Sequence, residues 1–262
     1  MRFVVREDEV ATVKTALVTG GAKRIGRAMV ERLAREGYRV AIHCHASVVE
    51  AEQLAQAIGG AGGRASVVQA DLSDAEAVAG MIEAAATALG PLDLLVNNAS
   101  EFEDDRIETL DLARYHRTLA VDLTAPLILA RDFAAQLPAE AEGLIVNVLD
   151  QRVWKETPLF FSYQIAKSAL WTATRTMAQG LAPRIRVNAI GPGPTLASPR
   201  QGDADFAKQA AATPLERSSS PDEVCAALMY FLGARSVTGQ MLALDAGQHL
   251  AWETPDVVGI RE

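Results

Sequence analysis

Short apolar runs alternate with helix-length stretches along almost the whole chain, and this alternation narrows the possible folds more than any other feature. Val13 to Thr19, Arg39 to His43, Arg64 to Gln69, Leu92 to Val96, Leu144 to Leu149, Arg184 to Ile190 and Met241 to Leu244 have strand length and are apolar enough for burial on both faces. Between them lie segments with helical character: Ile25 to Glu36, Val48 to Ile58, Ala75 to Leu89, Thr109 to Gln136 interrupted by Pro126, an Ala-rich stretch carrying Tyr163 and Lys167, and Pro221 to Leu232. Such a chain is expected to form an α/β protein, a doubly wound parallel sheet of about seven strands covered on both faces. Because the alternation is continuous, a single domain is expected over 13–250, with an extension at 1–12 and a tail at 251–262.

Charge and composition exclude several classes of partner. The 33 acids exceed the 25 bases and give a formal net charge of −8, with the two signs interspersed. No basic stripe is present, so nucleic acid is not an expected partner. The N-terminal MRFVVREDEV carries acids where a secretion signal is apolar. No apolar run approaches the ~18 residues needed to cross a bilayer. The expectation is a cytoplasmic protein without a membrane partner. Cys44 and Cys225 lie in separate elements with no CxxC spacing, which suits small core residues better than a disulfide or zinc site. His43 and His45 flank Cys44, yet no third metal ligand is evident, so no metal is expected.

Chemistry-bearing residues recur just after the strands. Gly20, Gly21 and Gly26 punctuate the first strand-to-helix turn, where free backbone amides and the positive end of a helix dipole form a phosphate cradle of the Rossmann type. The middle glycine of the GxGxxG pattern is replaced by Arg24, so the loop is a variant. Asp71 follows the third strand, at the sheet edge where ligands bind; it also suits a helix cap, as do Ser73 and Asp74. Asn97-Asn98-Ala99-Ser100 follows the fourth strand, small enough for close ligand approach and equally suited to an ordinary turn. The polar, weakly patterned segment 196–217 reads as a mobile lid over a substrate site. Tyr163 and Lys167, four apart on a helix, share one face. An ammonium ~4 Å from a phenol favours the phenolate by about 4 kcal/mol at an effective dielectric near 20, so Lys167 is expected to lower the pKa of Tyr163.

Taken together, these residues resemble the short-chain dehydrogenase/reductase family over nearly the whole chain. The resemblance is carried by TGGAKRIG at Thr19 to Gly26, Asp71, NNA at Asn97 to Ala99, Tyr163 with Lys167, and Pro192-Gly193. It implies an NAD(P)-dependent oxidoreductase working as a homo-oligomer, a dimer or tetramer. It further implies a cofactor site at Thr19, Gly20, Arg24, Ile25, His45, Ser47, Asp71, Leu72, Asn98, Ala99, Tyr163, Lys167, Pro192, Gly193 and Thr195. The tail, with Trp252, is placed to reach a neighbouring subunit. An enzyme preferring the unphosphorylated cofactor carries an acid about 20 residues beyond the glycines. No acid lies between Gly37 and Val49, and Arg24, His45 and Ser47 instead suit a 2′-phosphate, hence NADPH.

Within that family the details are similar to the pteridine reductases. Arg24 in its loop, His45 and Ser47 after the second strand, Phe102 after NNAS, and Asp150 in place of the usual serine thirteen residues before Tyr163 all fit. A serine hydroxyl donates to a ketone oxygen, whereas an ionised carboxylate only accepts. Asp150 therefore suits a substrate that presents N–H groups, as a pterin does, with its flat ring stacked on Phe102. The expected activity is NADPH-dependent transfer of hydride to a C=N bond of a pterin or dihydrofolate-like small molecule. Tyr163 is the expected acid, Lys167 its modulator and Asp150 the group that orients substrate or relays a proton. Two departures stand out: Asp122 replaces the usual Asn of the long helix, and Ala46 the Arg that often follows the second His. A carbonyl reductase acting on a ketone, and a non-catalytic NADP-binding sensor or structural subunit, are the alternatives.

Overall fold

The computed structural model describes residues 14–197, 201–254 and 258; the extension at 1–12 and most of the tail beyond 254 lie outside them. Strand β1 (Thr15–Val18) leads into helix α1 (Arg24–Arg35), which stops at Gly37 with φ +84°. Strand β2 (Arg39–Cys44), helix α2 (Val48–Gly60) and strand β3 (Ala65–Gln69) follow. Helices α3 (Ala75–Ala79) and α4 (Met81–Leu89) then lead to strand β4 (Leu94–Asn97). After helices α5 (Leu112–Leu119) and α6 (Ala125–Gln136) come strand β5 (Gly143–Val148), the long helix α7 (Phe161–Gly180) and strand β6 (Ile185–Pro192). Helix α8 (Asp203–Ala211), helix α9 (Pro221–Gly233) and strand β7 (Met241–Leu244) complete the order.

The seven strands form one parallel sheet in the order β3-β2-β1-β4-β5-β6-β7. Successive side chains point to opposite faces, so each strand feeds two cores. Ala16, Val18, Val40, Ile42 and Val96 join residues of α1, α2 and α9 on one face. Leu17, Ala41, Leu95, Ile145 and Val187 join residues of α4 and α6 on the other. Burial on both faces explains why the strands read as continuous apolar runs. From β1 the chain winds outward to β3, then returns to β4 and winds the other way to β7. The crevice at the carboxyl ends of β1 and β4 follows from that reversal.

Three segments differ from the sequence expectation. The helix expected over Ala75 to Leu89 is two helices broken at Gly80, the poorest helix former there. Asp74, rather than Asp71 or Ser73, caps the first of them, accepting from the backbone N–H groups of Glu76 and Ala77. The long helix is interrupted before Pro126, by a wide π turn over Ala120–Thr124, while Pro126 sits in the first turn of α6. Proline has no N–H to return to the carbonyl four residues earlier, that of Asp122, and the wide turn accommodates the loss. Finally, the segment 196–217 contains α8. Among the described residues no helix is long and apolar enough to cross a membrane.

Candidate active site

The carboxyl ends of the strands open into one cavity of about 940 Å³ that runs from the glycine turn to Tyr163. At the turn, Gly20 takes φ +61°, and a Cβ on Gly26 would lie 2.1 Å from the Gly20 carbonyl oxygen, so the helix start and the loop touch directly. Arg24, where the pattern has a glycine, takes a left-handed backbone with φ 54°. Its guanidinium donates to the carbonyls of Leu196 and Ala197, 3.1 and 3.0 Å away, tying the turn to the start of the 196–217 segment. Thr19 joins the turn to the loop after β4: its hydroxyl oxygen accepts from the backbone N–H groups of Asn98 and Ala99 at 2.9 and 3.0 Å. Asn98 returns the bond, its side-chain amide donating to the carbonyls of Thr19 and Gly20.

His43 is buried beneath this turn. Its Nδ1 accepts from the Gly20 N–H at 3.0 Å while Nε2 faces the Ala70 carbonyl at 3.2 Å, which fixes the Nε2–H tautomer. Burial pushes its pKa down to about 4, against the bond to Ala70 and with help from neighbouring His45. Both ring nitrogens are thus engaged in the fold, which removes His43 from the metal pair considered with His45. Among the described residues no group of three or more His, Cys, Asp or Glu could hold a metal ion. Asp71 is held at about 2, first by the Ser73 N–H and then by the Arg117 guanidinium and the Ser73 hydroxyl, against a desolvation cost. Arg117 bridges Asp71 at 3.2 Å, the Ser73 hydroxyl at 2.6 Å and Glu101 at 2.6 Å, linking the loops after β3 and β4.

At the other end, α7 presents Tyr163 and Lys167 on one face. The helix is started by Asp105, a buried carboxylate that accepts from the Ser162 N–H at 3.1 Å and from the Ser162 hydroxyl. Just before it, Phe160 adopts a left-handed backbone with φ 55°. Asp150, leaving β5, accepts from the Arg152 N–H at 2.9 Å through Oδ1 and from the Tyr163 hydroxyl at 3.1 Å through Oδ2. Lys167 donates to the Val148 carbonyl at 2.9 Å and pairs with Asp122 at 3.1 Å; the two side chains are 4% and 0% exposed. The wide turn before Pro126 puts Asp122 there, and its other oxygen accepts from the Glu101 N–H at 2.9 Å.

This arrangement corrects the expected effect of Lys167 on Tyr163. The phenol is pushed well above its ordinary range, by burial first, then by the charges of Asp150 and Asp122. Lys167 does lie on the same face, its Nζ 5.5 Å from the ring centroid. Its charge, however, is answered by Asp122, and two carboxylates outweigh one neutralised ammonium. Tyr163 is therefore a protonated donor rather than an acidified phenol.

Aromatic rings wall this end. Phe102 stacks on Phe160 with centroids 4.1 Å apart and meets Tyr163 edge-on at 4.8 Å. The Arg152 guanidinium lies 5.3 Å from the Phe102 centroid and 5.0 Å from that of Phe160. Phe102 thus lines the cavity as expected and also packs within its wall.

Of the residues expected at the site, Gly20, Arg24, Ile25, His45, Asp71, Leu72, Asn98, Ala99, Phe102, Asp150, Tyr163, Lys167, Pro192, Gly193 and Thr195 all line the cavity. Thr19 and Ser47 are not among its lining residues. Thr19 is buried, with its hydroxyl used between loops, and Ser47 precedes the first residue of α2. The Thr195 hydroxyl is likewise engaged, 2.6 Å from that of Ser219. Lys23, Arg117, Arg152 and Phe160 also line the cavity and were missed, and His43, weighed above only as a metal ligand, lines it too. For Lys23 the clue was its place beside Arg24; the others carry no local motif. A cavity wall bearing Lys23, Arg24 and His45, with Ala46 rather than an acid after β2, fits a phosphorylated ribose.

Comparison with known proteins agrees with this fold. The family model for short chain dehydrogenase matches residues 14–206. The chain is 35% identical over 242 residues to an uncharacterized oxidoreductase of Methylorubrum extorquens, a match covering 89% of this chain and 97% of that one. It is 54% identical to alternative dihydrofolate reductase 1 (FolM) from Brucella canis, whose crystal structure is a complex with NADP. That match covers 94% of this chain and 97% of the other, with a TM-score of 0.91. The corresponding FolM from Brucella suis, also in complex with NADP, is 55% identical with a TM-score of 0.92, over 95% of this chain and 100% of that one.

Proposed function

Because this chain belongs to the short-chain dehydrogenase family, we propose that it is an NADPH-dependent reductase of a C=N bond in a dihydropterin or dihydrofolate-like ring. The observation that carries the proposal is the Asp150 carboxylate, 3.1 Å from the Tyr163 hydroxyl. A carboxylate there repels a carbonyl oxygen and the oxyanion that ketone reduction develops. It accepts instead from the N–H groups of an amino-substituted heterocycle. The likeness to two alternative dihydrofolate reductases crystallised with NADP supports both substrate class and cofactor.

NADPH, when bound, supplies the hydride. Lys23, Arg24 and His45 would hold its ribose phosphate, and Asp71, Asn98, Pro192 and Gly193 would line the rest of its site. Tyr163 keeps its proton at neutral pH, because burial and two carboxylates hold its pKa high, and gives that proton to the ring nitrogen. Lys167, one helical turn away, offsets the phenolate charge that results, and Asp122 keeps Lys167 in place. Asp150 orients the ring through its N–H groups, Phe102 packs against it, and Phe206 and Gln209 of α8 line the same cavity. A homo-oligomer of two or four subunits in the cytoplasm completes the proposal on the family resemblance; light scattering tests the subunit count.

The direct test follows NADPH oxidation with dihydrofolate, dihydrobiopterin and a panel of simple ketones. Reduction of the dihydropterin ring is expected. Turnover of ketones with none of either pterin substrate would reject the assignment and return the chain to the carbonyl reductases.

A further inference from the structure

The Arg152 charge acts on Tyr163 only by opposing the rise in its pKa, and its side chain lines the same cavity as Asp150 and Tyr163. It projects from a single 3-10 turn, Gln151–Val153, that Asp150 itself caps. Its guanidinium carbon lies 5.3 Å from the Phe102 ring centre and 5.0 Å from that of Phe160. Nη1 is buried and has no hydrogen-bond partner. Nη1 lies 4.0 Å from Asp150 Oδ2, close enough to feel its charge but beyond hydrogen-bond reach. A buried donor on a permanent cation is costly to leave unmade, so a polar or anionic group that meets it gains disproportionately. Gln151 Oε1, on the same turn and lining the same cavity, is likewise buried and unpartnered.

A group that meets Nη1 cannot be one of the cofactor's phosphates, which the glycine turn would hold at the opposite end of the cavity. It belongs to whatever occupies the substrate end. A pterin with a short neutral side chain offers no negative charge there. A folate does: its side chain carries amide N–H groups and carboxylates, the complement of an acceptor at Gln151 and a forked cation at Arg152.

We propose that Arg152 is a specificity-determining residue that reads a carboxylate on the substrate's side chain, making this enzyme prefer carboxylate-bearing folates over uncharged pterins. The inference rests on the reductase reading and refines it. Asp150 and Tyr163 act on the ring that all such substrates share; Arg152 acts on the part in which they differ.

The test compares wild type, Arg152→Gln and Arg152→Lys in NADPH oxidation with dihydrofolate and with dihydrobiopterin, and measures inhibition of the wild type by folate and by its dimethyl ester. For Arg152→Gln, kcat/KM for dihydrofolate should fall about tenfold or more beyond any fall for dihydrobiopterin, mainly through KM, the factor expected for one lost charge-assisted pair. Arg152→Lys should fall between the two. Wild type should bind the free acid about tenfold or more tightly than the ester, by the same reasoning. An equal loss on both substrates, or equal binding of acid and ester, would overturn the inference. The inhibition arm needs no variant, so a substitution that misfolds leaves the question decidable. Wild type that reduces dihydrobiopterin without favouring the acid refutes the role of Arg152 alone; wild type that reduces neither substrate refutes the reductase reading and this role with it.

Discussion

At the glycine-turn end of the crevice, polar groups are spent on one another. The Thr19 hydroxyl accepts from two backbone amides, Asn98 donates back across the same gap, and His43 uses both ring nitrogens between Gly20 and Ala70. At the Tyr163 end the balance is different. Asp150 shares its oxygens with groups that a substrate could displace, and Arg152 and Gln151 keep buried atoms without partners. The first region is a scaffold that presents backbone; the second holds side chains in reserve. Substitutions in the first should therefore cost folding free energy, and in the second turnover.

The largest expected effect is that of Tyr163→Phe, which should lower kcat by about a hundred- to ten-thousandfold, the usual contribution of a positioned general acid. Cofactor affinity, followed by fluorescence titration, should move little. A large fall in melting temperature alongside it would break the comparison, because Tyr163 would then belong to the scaffold.

Asp122→Asn probes the boundary between the two regions. Removing one partner of a buried ion pair costs roughly 3–5 kcal/mol, to be read from urea unfolding. The asparagine also cannot accept through both positions, as the Lys167 ammonium and the Glu101 N–H require. Because Asp122 helps hold the Tyr163 pKa up, the alkaline limb of the rate profile should move to lower pH in the variant. An unchanged profile would remove Asp122 from the site's electrostatics.

His43 makes a pH prediction for the scaffold. Its folded pKa, about 4, lies below its ordinary 6.5, so the unfolded chain takes up the proton first as pH falls. Stability from this group is complete above pH 6.5 and is lost progressively down to about 4, a change of about 3 kcal/mol by linkage. Denaturant unfolding of wild type and His43→Gln at pH 7 and pH 4.5 should show a steeper loss in wild type. Smallest is Thr19→Val, which leaves two backbone amides without their acceptor and should cost about 1–3 kcal/mol, with the change read in unfolding midpoint rather than in KM for dihydrofolate.

The same contrast explains what could be read in advance. Strand positions were legible because a sheet covered on both faces demands apolar runs, and residues just past those strands were legible because ligands of such sheets bind there. Tyr163 and Lys167 were visible by their spacing along one helix, and Asp150 by the family resemblance, as the residue standing where a serine is usual. Arg117 and His43 were not, since each acts through partners dozens of residues away: Arg117 reaches Asp71 and His43 reaches Gly20. The pKa direction of Tyr163 was misjudged because a pair of residues was weighed alone. Asp122, forty-five positions from Lys167, supplies the opposing charge only once the chain is folded.

The wide turn at Ala120–Thr124 carries one residue more than the same rise of ordinary α-helix would hold. Such a bulge behaves as a local insertion, and everything beyond it is rotated by that surplus residue relative to everything before. Trimming a single position from this turn would swing the Asp122 carboxylate round the axis by about a quarter of a revolution. The ammonium that it now grips would lose its counterion without any change to the reacting groups themselves.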